Sequence, residues 1–417
     1  MTLVSLHDKC SVNTNIDTDT FVGIKATDGD ISVNFPLGFR LAEDDRTLRK
    51  DILLLMSTLK KNTERKDSEI NNDSAYNAVD MPVQAYLYII ADYYTRGYYR
   101  ECESVYEVSK RGRINWGRTV KTQKAYIQDN AAYYLDFITK KKNPNDNELI
   151  TLIHKFCVYE SFDKIGWLFS SARPEAPEIP FNRKLFHGTV RKKMAETFND
   201  RNRQLLINML AVIDYLGDDG PSGNFLYGTY RFEYVWESMI DNVYGIKEKE
   251  EYFPKTRWNL GKKAYENAAL EPDTVMLVNE SENPVYVLDA KYYKFGWSGN
   301  PGHLPESTSI NKQITYGEYI AEAEKFMDEN GNHPTVYNAF LMPYNANGKV
   351  FNTGKDAFCI GTAESDWKQT DGSKPYEQVV GILLDVKSLM LSNSRNQDRI
   401  IRLAELIEKN MKVEKTV

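Results

Sequence analysis

Two short apolar stretches near the middle of the chain predict a β-hairpin. They read TVMLV (274–278) and VYVLDAKYY (285–293), and the polar turn NESENP separates them. Short apolar runs bounded by Asn, Ser and Pro are typical of paired strands. Asp289 and Lys291 interrupt the second stretch two positions apart, so the pattern places them on one face of a strand.

Before this hairpin, the pattern predicts one further hairpin and then mainly helices. Residues 21–42 form two strand-like runs around Asp-Gly, and residues 46–61 have apolar positions at helical spacing. Helical patterns continue from 83 to 142, from 148 to 169 and from about 184 to 216. The segment LGDDGPSGN (216–224) is rich in turn-forming residues and is the best candidate for a domain boundary. We therefore predict a largely helical domain at 1–220, beginning with a hairpin, and an α/β domain at 221–417.

The hairpin lies between two predicted helices that carry polar residues at helical spacing. Residues 229–245 predict an amphipathic helix in which Glu233 and Glu237 share a face. The helix after the hairpin carries Gln313 and Tyr316 on neighbouring turns. Further strands and a charged helix complete the α/β pattern.

Composition and charge narrow the class of protein. The 417 residues include 53 Lys and Arg against 59 Asp and Glu, a net charge of −6. This balance argues against a generic basic nucleic-acid coat but leaves room for a local basic groove on an enzyme that acts on DNA. The four cysteines are scattered, which argues against a structural zinc site. No apolar run approaches a membrane span and no signal sequence is evident, so we expect a cytoplasmic protein with no membrane association. A phosphate-binding GxxxxGK[ST] loop is absent, so any nucleotide hydrolysis would come from another subunit.

The acidic residue Asp273 opens the first strand of the hairpin, and the neighbouring strand carries Asp289 and Lys291. Two carboxylates suit Mg²⁺, which retains waters and binds substrate phosphate oxygens in addition to protein ligands. The lysine has two possible roles: it can hold or deprotonate the attacking water, or offset negative charge in the transition state. An Asp-x-Lys on a strand is, however, more often a surface ion pair, and a second one at Asp385 and Lys387 is interpreted as a strand end or helix cap.

A basic, glycine-containing segment at 109–124 suits contacts with phosphates. Its candidate DNA-binding residues are Lys110, Arg111, Arg113, Trp116, Arg118 and Lys121. The alternative is the solvated start of a helix. His154, among apolar neighbours, is interpreted as a core residue.

Pro272, Asp273, Asp289, Ala290 and Lys291 resemble the PD-(D/E)XK motif of metal-dependent nucleases. This resemblance implies a PD-(D/E)XK nuclease core in the C-terminal half, with Asp273, Asp289 and Glu237 as metal ligands and Lys291 assisting catalysis. It places a glutamate on the preceding helix, which is Glu233 or Glu237. It also implies that Gln313 supports the site, as in nucleases of the RecB and McrC type.

FVGIK, ISVNFPLGFRL, RKDILLL, GRINWGRTVK and FEYVWESMI, together with the hairpin, resemble the LlaJI restriction endonuclease family. The resemblance implies a Mg²⁺-dependent restriction endonuclease that cleaves double-stranded DNA in host defence against foreign DNA, such as phage DNA. It also implies that the chain works as a nuclease subunit with a McrB-like GTPase motor. One alternative is a McrC-like subunit of a modification-dependent complex. The other is a non-catalytic subunit that binds DNA or couples subunits.

Overall fold

The computed structural model describes residues 6–14, 20–27, 30–63, 77–79, 81–128, 131–145, 147–170, 172–367, 374–392 and 394–411. The chain forms two compact units. One unit joins Met1–Val79 to Asn224–Val417, and the other is Asp80–Gly223. Strands and helices occur in both, so the protein is a mixed α/β structure.

The amino-terminal segment of the first unit contributes four strands and one helix. In chain order these are β1 (Cys10–Val12), β2 (Val22–Thr27), β3 (Asp30–Phe35), α1 (Asp45–Thr63) and β4 (Asn77–Val79). β2 and β3 pair antiparallel from Gly23–Asn34 to Thr27–Asp30, which confirms the first predicted hairpin. Helix α1 confirms the helix predicted at 46–61.

The second unit contains four longer helices around a small β-rich insertion. Its elements are α2 (Val83–Arg96), β5 (Glu101–Val108), β6 (Arg113–Ile114), α3 (Trp116–Thr122), β7 (Ala125–Gln128), β8 (Ala131–Tyr134), β9 (Ile138–Asn145), α4 (Leu149–Ile165), α5 (Arg183–Glu196) and α6 (Asp200–Leu216). β5 and β6 both pair with β9, and β7 pairs with β8.

The helical pattern predicted for 83–142 is therefore wrong after α2, except at the short helix α3. The rest of the described stretch forms strands, because residues such as Val105, Tyr106 and Val108 favour a pleated ladder and β9 pairs with them. The helix predicted at about 184–216 is divided in two, and Asn199 caps the second helix by accepting a hydrogen bond from the backbone N–H of Asn202.

The chain then returns to the first unit, where further strands and helices precede and follow the β13–β14 hairpin in the sequence. These are β10 (Phe225–Thr229), α7 (Phe232–Tyr244), β11 (Arg257–Leu260), β12 (Lys263–Glu266), β13 (Thr274–Leu277), β14 (Val285–Ala290), α8 (Phe295–Ser298), α9 (Ser307–Glu322), β15 (Val336–Tyr344), β16 (Ala357–Glu364), β17 (Gln378–Asp385), α10 (Val386–Leu391) and α11 (Gln397–Met411).

Strand β10 explains why the units do not follow the predicted division at 220. It pairs antiparallel with β2 on one side and with β4 on the other, in a sheet of order β1-β3-β2-β10-β4. Residues 1–79 therefore share a unit with the C-terminal half. The chain does pass from the second unit back to the first within the segment LGDDGPSGN.

The second sheet of the first unit has the order β13-β14-β15-β17-β16. β13 and β14 are antiparallel and confirm the central hairpin, whereas β14, β15 and β17 run parallel. Since β14 lies inside this sheet and helices α7 and α9 pack on it, all six of its residues are buried. Asp289 is therefore a carboxylate in a buried strand, which requires a nearby cation or hydrogen-bond donors.

Candidate functional site

The register of the central hairpin places Asp273 beside the end of β14. Thr274 pairs with Leu288, so the preceding residue, Asp273, lies opposite Asp289. Asp273 Oδ2 accepts a hydrogen bond of 2.8 Å from the backbone N–H of Ala290. The structure thus brings together the two acidic residues predicted from the hairpin.

Lys291 forms an ion pair with Asp289, and the distance between Nζ and Oδ2 is 2.5 Å. Burial opposes the charge on Lys291, but the charge and hydrogen bond of Asp289, together with the charge of Asp273, outweigh burial, and the pKa of Lys291 is raised. The ammonium group is therefore retained at neutral pH. Of the two roles left open for this lysine, the geometry favours stabilisation of negative charge over removal of a proton.

Helix α7 positions a third carboxylate. Trp236 Nε1 donates to Leu341 O at 3.2 Å, and the same oxygen accepts from the backbone N–H of Lys291 at 2.9 Å. This shared acceptor fixes the helix next to the end of β14. Glu237, the following residue, is half-buried and close enough to raise the pKa of Asp273.

Glu233, the other candidate on α7, lies 3.5 Å from the guanidinium of Arg231, between its Oε1 and Nη1 atoms. Both side chains are more than one-third exposed, so this is a surface ion pair. The geometry therefore favours Glu237 over Glu233 as the glutamate beside the two aspartates.

Asp273 carries the most strongly perturbed carboxyl of the cluster. Burial, followed by the charges of Asp289 and Glu237, raises its pKa to about 7, although the Ala290 hydrogen bond and Lys291 act in the opposite direction. Three carboxylates, those of Asp273, Asp289 and Glu237, therefore lie close enough to affect one another's charge. A strongly perturbed acid beside named charge partners is typical of a functional site.

Helix α9 supports the cluster from the other side. Gln313 is buried and its Nε2 donates to Val287 O at 2.7 Å, whereas its Oε1 is buried without a hydrogen-bond partner among the described residues. Tyr316 donates to Glu271 O at 3.1 Å, two residues before Asp273. These contacts connect the helix to β14 and to the segment that leads into β13.

Two lysines near the cluster were missed by sequence reasoning. Lys249 donates to Asp273 O at 2.6 Å and to Asp241 Oδ1 at 2.9 Å, which fixes the backbone of Asp273. Lys312 has a raised pKa, mainly because of its hydrogen bond with Tyr316 and also because of Asp289 and Asp273. The sequence could have indicated Lys312, because it directly precedes Gln313 on the helix after the hairpin. No sequence pattern around Lys249 indicated that it lies near the cluster.

The residues of the cluster fit a divalent cation that has oxygen ligands. Within the described ranges, no three His, Cys, Asp or Glu side chains form a complete metal-binding group by themselves. Mg²⁺ does not require one, because one or two carboxylates, waters and substrate phosphate oxygens usually complete its shell. The negative charge around Asp273 and the unpartnered Oε1 of Gln313 both favour a cation with bound water.

The second Asp-x-Lys has a structural role, as predicted. Asp385 ends β17 and caps α10, because its side chain accepts from the backbone N–H of Ser388 at 2.8 Å. Lys387 pairs with Asp51 on α1 at 2.7 Å. It therefore connects the amino-terminal segment to the C-terminal half of the first unit.

The predicted DNA-binding segment lies in the β-rich insertion of the second unit. Its six candidate residues, Lys110, Arg111, Arg113, Trp116, Arg118 and Lys121, are all exposed. Asn115 caps α3, and the guanidinium of Arg118 lies 3.7 Å from the centre of the Tyr106 ring. The segment is thus an exposed basic surface around a short helix.

His154 is completely buried in α4, as its interpretation as a core residue required. Its Nδ1 accepts from the backbone N–H of Tyr99 at 2.8 Å, and burial lowers its pKa to about 4. It therefore remains neutral at physiological pH.

Comparisons with known proteins show which family this mixed α/β protein belongs to. The LlaJI restriction endonuclease family matches residues 21–370, so the chain belongs to this family. The chain is similar to the "Type II restriction enzyme BsuMI component YdjA" of Bacillus subtilis (strain 168), with 25% identity over 276 residues. The match covers 61% of this chain and 56% of that relative, so it spans little more than half of the relative's length. No helix in the described part of the chain is long and apolar enough to cross a membrane.

Proposed function

We propose that this chain is the Mg²⁺-dependent nuclease subunit of a restriction system and that it hydrolyses phosphodiester bonds of double-stranded DNA. Membership of the LlaJI family supports a role in restriction. The observation that supports the chemistry is the convergence of Asp273, Asp289, Glu237 and Lys291 at one end of the β13–β14 hairpin.

Asp273 and Asp289 would hold the metal, with Glu237 beside them and with waters and substrate phosphate oxygens completing its shell. The metal would supply charge neutralisation and an activated water when it is bound. The backbone N–H of Ala290 orients the Asp273 carboxylate, and Lys249 holds the main chain behind it. The second oxygen of Asp273 is thereby free of this hydrogen bond and available to a cation.

Lys291 would stabilise the charge that develops on the phosphate oxygens. Its ammonium is protonated and lies against Asp289, so it is held at the site before substrate arrives. Preorganised charge of this kind lowers a barrier because no reorganisation is needed during the reaction. Gln313 would position the cluster through Val287 and offer Oε1 to a bound water.

The relative's description as a component of a restriction enzyme supports a partner subunit for this chain as well. The further step, that the partner is a McrB-like GTPase motor that recognises DNA, comes from the family resemblance. A modification-dependent, McrC-like complex would use the same cleavage site and differ only in how DNA is selected.

The two Asp-x-Lys motifs provide a matched test. Lys291→Gln and Lys387→Gln make the same substitution at a lysine that forms an ion pair with a buried aspartate, and the glutamine amide can still donate to either carboxylate. Plasmid DNA would be incubated with each protein in Mg²⁺ or EDTA, alone and with a candidate partner subunit and GTP. We expect wild type and Lys387→Gln to cleave in Mg²⁺ only, and Lys291→Gln to lose at least about a hundredfold in rate.

Equal cleavage by wild type and Lys291→Gln under every condition would exclude the proposed catalytic site. If none of the three proteins cleaves DNA in any condition although all bind it, the non-catalytic alternative would be favoured.

A further inference from the structure

An isolated hairpin begins and ends close to the carboxylate cluster. β11 and β12 pair antiparallel from Arg257–Glu266 to Leu260–Lys263, around a two-residue turn that starts with Gly261 at a φ of 63°. The ladder continues toward the base, where the backbone N–H of Asn267 donates to Thr256 O and that of Leu270 donates to Pro254 O, both at 2.9 Å. We call residues 255–266 the basic arm.

The basic arm is exposed along its whole length. Every residue from 255 to 268 is exposed, including all eight strand residues. A two-stranded ribbon without a third strand or a covering element is only marginally stable in water. This one nevertheless presents Trp258, Leu260 and Tyr265 to solvent, with 65%, 60% and 51% of each residue exposed.

The two faces of the arm differ in composition. Side chains alternate between faces along a strand, so the cross-strand pairs Trp258–Tyr265 and Leu260–Lys263 lie on the same face. This aromatic face also carries a cation. The opposite face contains the pairs Arg257–Glu266 and Asn259–Ala264.

The charge of the arm indicates an anionic occupant. It contains four cations, Lys255, Arg257, Lys262 and Lys263, against the single carboxylate of Glu266, although the whole chain has a net charge of −6. Lys262 and Lys263 lie at and next to the tip. Exposed aromatic rings interleaved with cations suit double-stranded DNA, in which phosphates pair with the cations and an apolar side chain can wedge between base steps from a groove.

The arm begins next to the site at which DNA would be cleaved. Leu270, at its base, precedes Asp273 by three residues, which is at most about 11 Å of extended chain. From Pro254 to Gly261 the arm extends for about 23 Å. A duplex carries one phosphate charge per about 1.7 Å of its axis, so an arm of this length spans several phosphates.

We propose that the basic arm binds double-stranded DNA beside the cleavage site. Lys262 and Lys263 contact the phosphate backbone, and Trp258 and Tyr265 provide the aromatic surface. This inference rests on the proposed nuclease function, because it is the substrate of that site that the arm would hold. The aromatic face would be covered in the complex, which accounts for its composition.

Binding of a labelled duplex of about 40 base pairs would test the arm, with the full-length Lys291→Gln protein in Mg²⁺ as the parent so that DNA is not cleaved. Affinity would be measured by fluorescence anisotropy between roughly 50 and 200 mM salt. Lys262→Ala/Lys263→Ala should weaken binding at least about tenfold and make the slope of log K against log salt shallower by about two, since each lost phosphate contact removes about 0.9. Trp258→Ala should weaken binding with an unchanged slope, because it removes an apolar contact and no charge, and Trp258→Phe should restore it.

Lys25→Ala/Lys409→Ala is the matched control, because it removes two exposed lysines from β2 and α11. All variants should retain the parent's melting temperature, since the altered residues are exposed. Parent-like affinity and slope in the arm variants, the same loss in the control, or a parent that binds no DNA would each overturn the inference. So would variants that bind DNA normally but no longer assemble with a partner subunit, because the arm would then be a protein interface.

Cleavage and binding measurements together distinguish an error in the proposed role of the arm from an error in the proposed nuclease site. With Lys291 intact, the arm variants should cleave at a normal rate at saturating DNA but with a raised KM. If Lys291→Gln leaves cleavage unchanged, the proposed site is excluded whatever the binding results are.

Discussion

Replacing Asp273 by Asn should stabilise the protein at alkaline pH when no metal is present. The native state raises the pKa of Asp273 from 3.8 to about 7, through burial and the charges of Asp289 and Glu237. The native state therefore holds this proton more tightly than the unfolded chain. Stability attributable to the group is complete below about pH 3.8, declines as the pH rises to about 7 and is constant above that.

The structure sets an upper limit on this effect. At 1.36 kcal/mol per pH unit, the difference between 3.8 and about 7 corresponds to at most about 4 kcal/mol. Relaxation around the charge reduces this value, so we expect Asp273→Asn to gain about 1–3 kcal/mol at pH 8 and almost nothing at pH 4. The asparagine Oδ1 can still accept from the N–H of Ala290, so the hydrogen bond at this position is retained.

Denaturation by urea in EDTA, at pH 4 and pH 8, would measure the difference directly. Asp328→Asn is the control with the opposite sign, because hydrogen bonds donated by Asn332 lower the pKa of that exposed carboxyl. Its removal should lower stability slightly at pH 8 or leave it unchanged. If Asp273→Asn destabilises the protein equally at both pH values, the electrostatic reasoning is refuted.

Three further predictions concern residues around the cluster and in the second unit. Gln313→Leu leaves Val287 O without its donor and should cost about 1–3 kcal/mol in urea denaturation, whereas a cost near zero would show that the bond is dispensable. Lys387→Met leaves the buried Asp51 carboxylate without its cation and should lower the free energy of unfolding by about 3–5 kcal/mol. The double variant Asp51→Leu/Lys387→Met should recover most of this loss. A double variant as unstable as Lys387→Met would contradict this account. Burial lowers the pKa of His154 to about 4, so the unfolded chain binds its proton more tightly, and stability should fall as the pH drops from about 6.5 toward 4. His154→Gln should reduce that pH dependence, as followed by thermal unfolding, and an unchanged pH profile would contradict the assignment.

The central hairpin could be predicted because its information is local. Apolar residues on both sides of a polar turn define β13 and β14, and antiparallel pairing then requires Asp273 to lie beside Asp289. The same pattern could not choose between Glu233 and Glu237, which are four residues apart on one helix. The choice depends on Trp236 and its bond to Leu341, a contact between residues 105 positions apart.

Other features depend on pairing partners that a local pattern does not contain. Strand β10 pairs with β2 and β4, although the residues of the second unit separate it from them in the sequence. Residues 1–79 therefore could not be assigned to their unit from composition. The strands at 101–145 were interpreted as helices because their aromatic and charged residues fit both periods, and only the ladder with β9 decides between them. The β11–β12 hairpin was missed, although Leu-Gly-Lys between two alternating stretches was an available signal.

The most direct test of the proposed site is the number of strand breaks that each protein introduces into plasmid DNA as Mg²⁺ is titrated. Wild type and Lys387→Gln should produce breaks that rise with Mg²⁺ and disappear in EDTA, and Lys291→Gln should produce none above background. Breaks that are independent of Mg²⁺, or that Lys291→Gln makes as fast as wild type, would contradict a metal-dependent nuclease built on Asp273, Asp289 and Lys291.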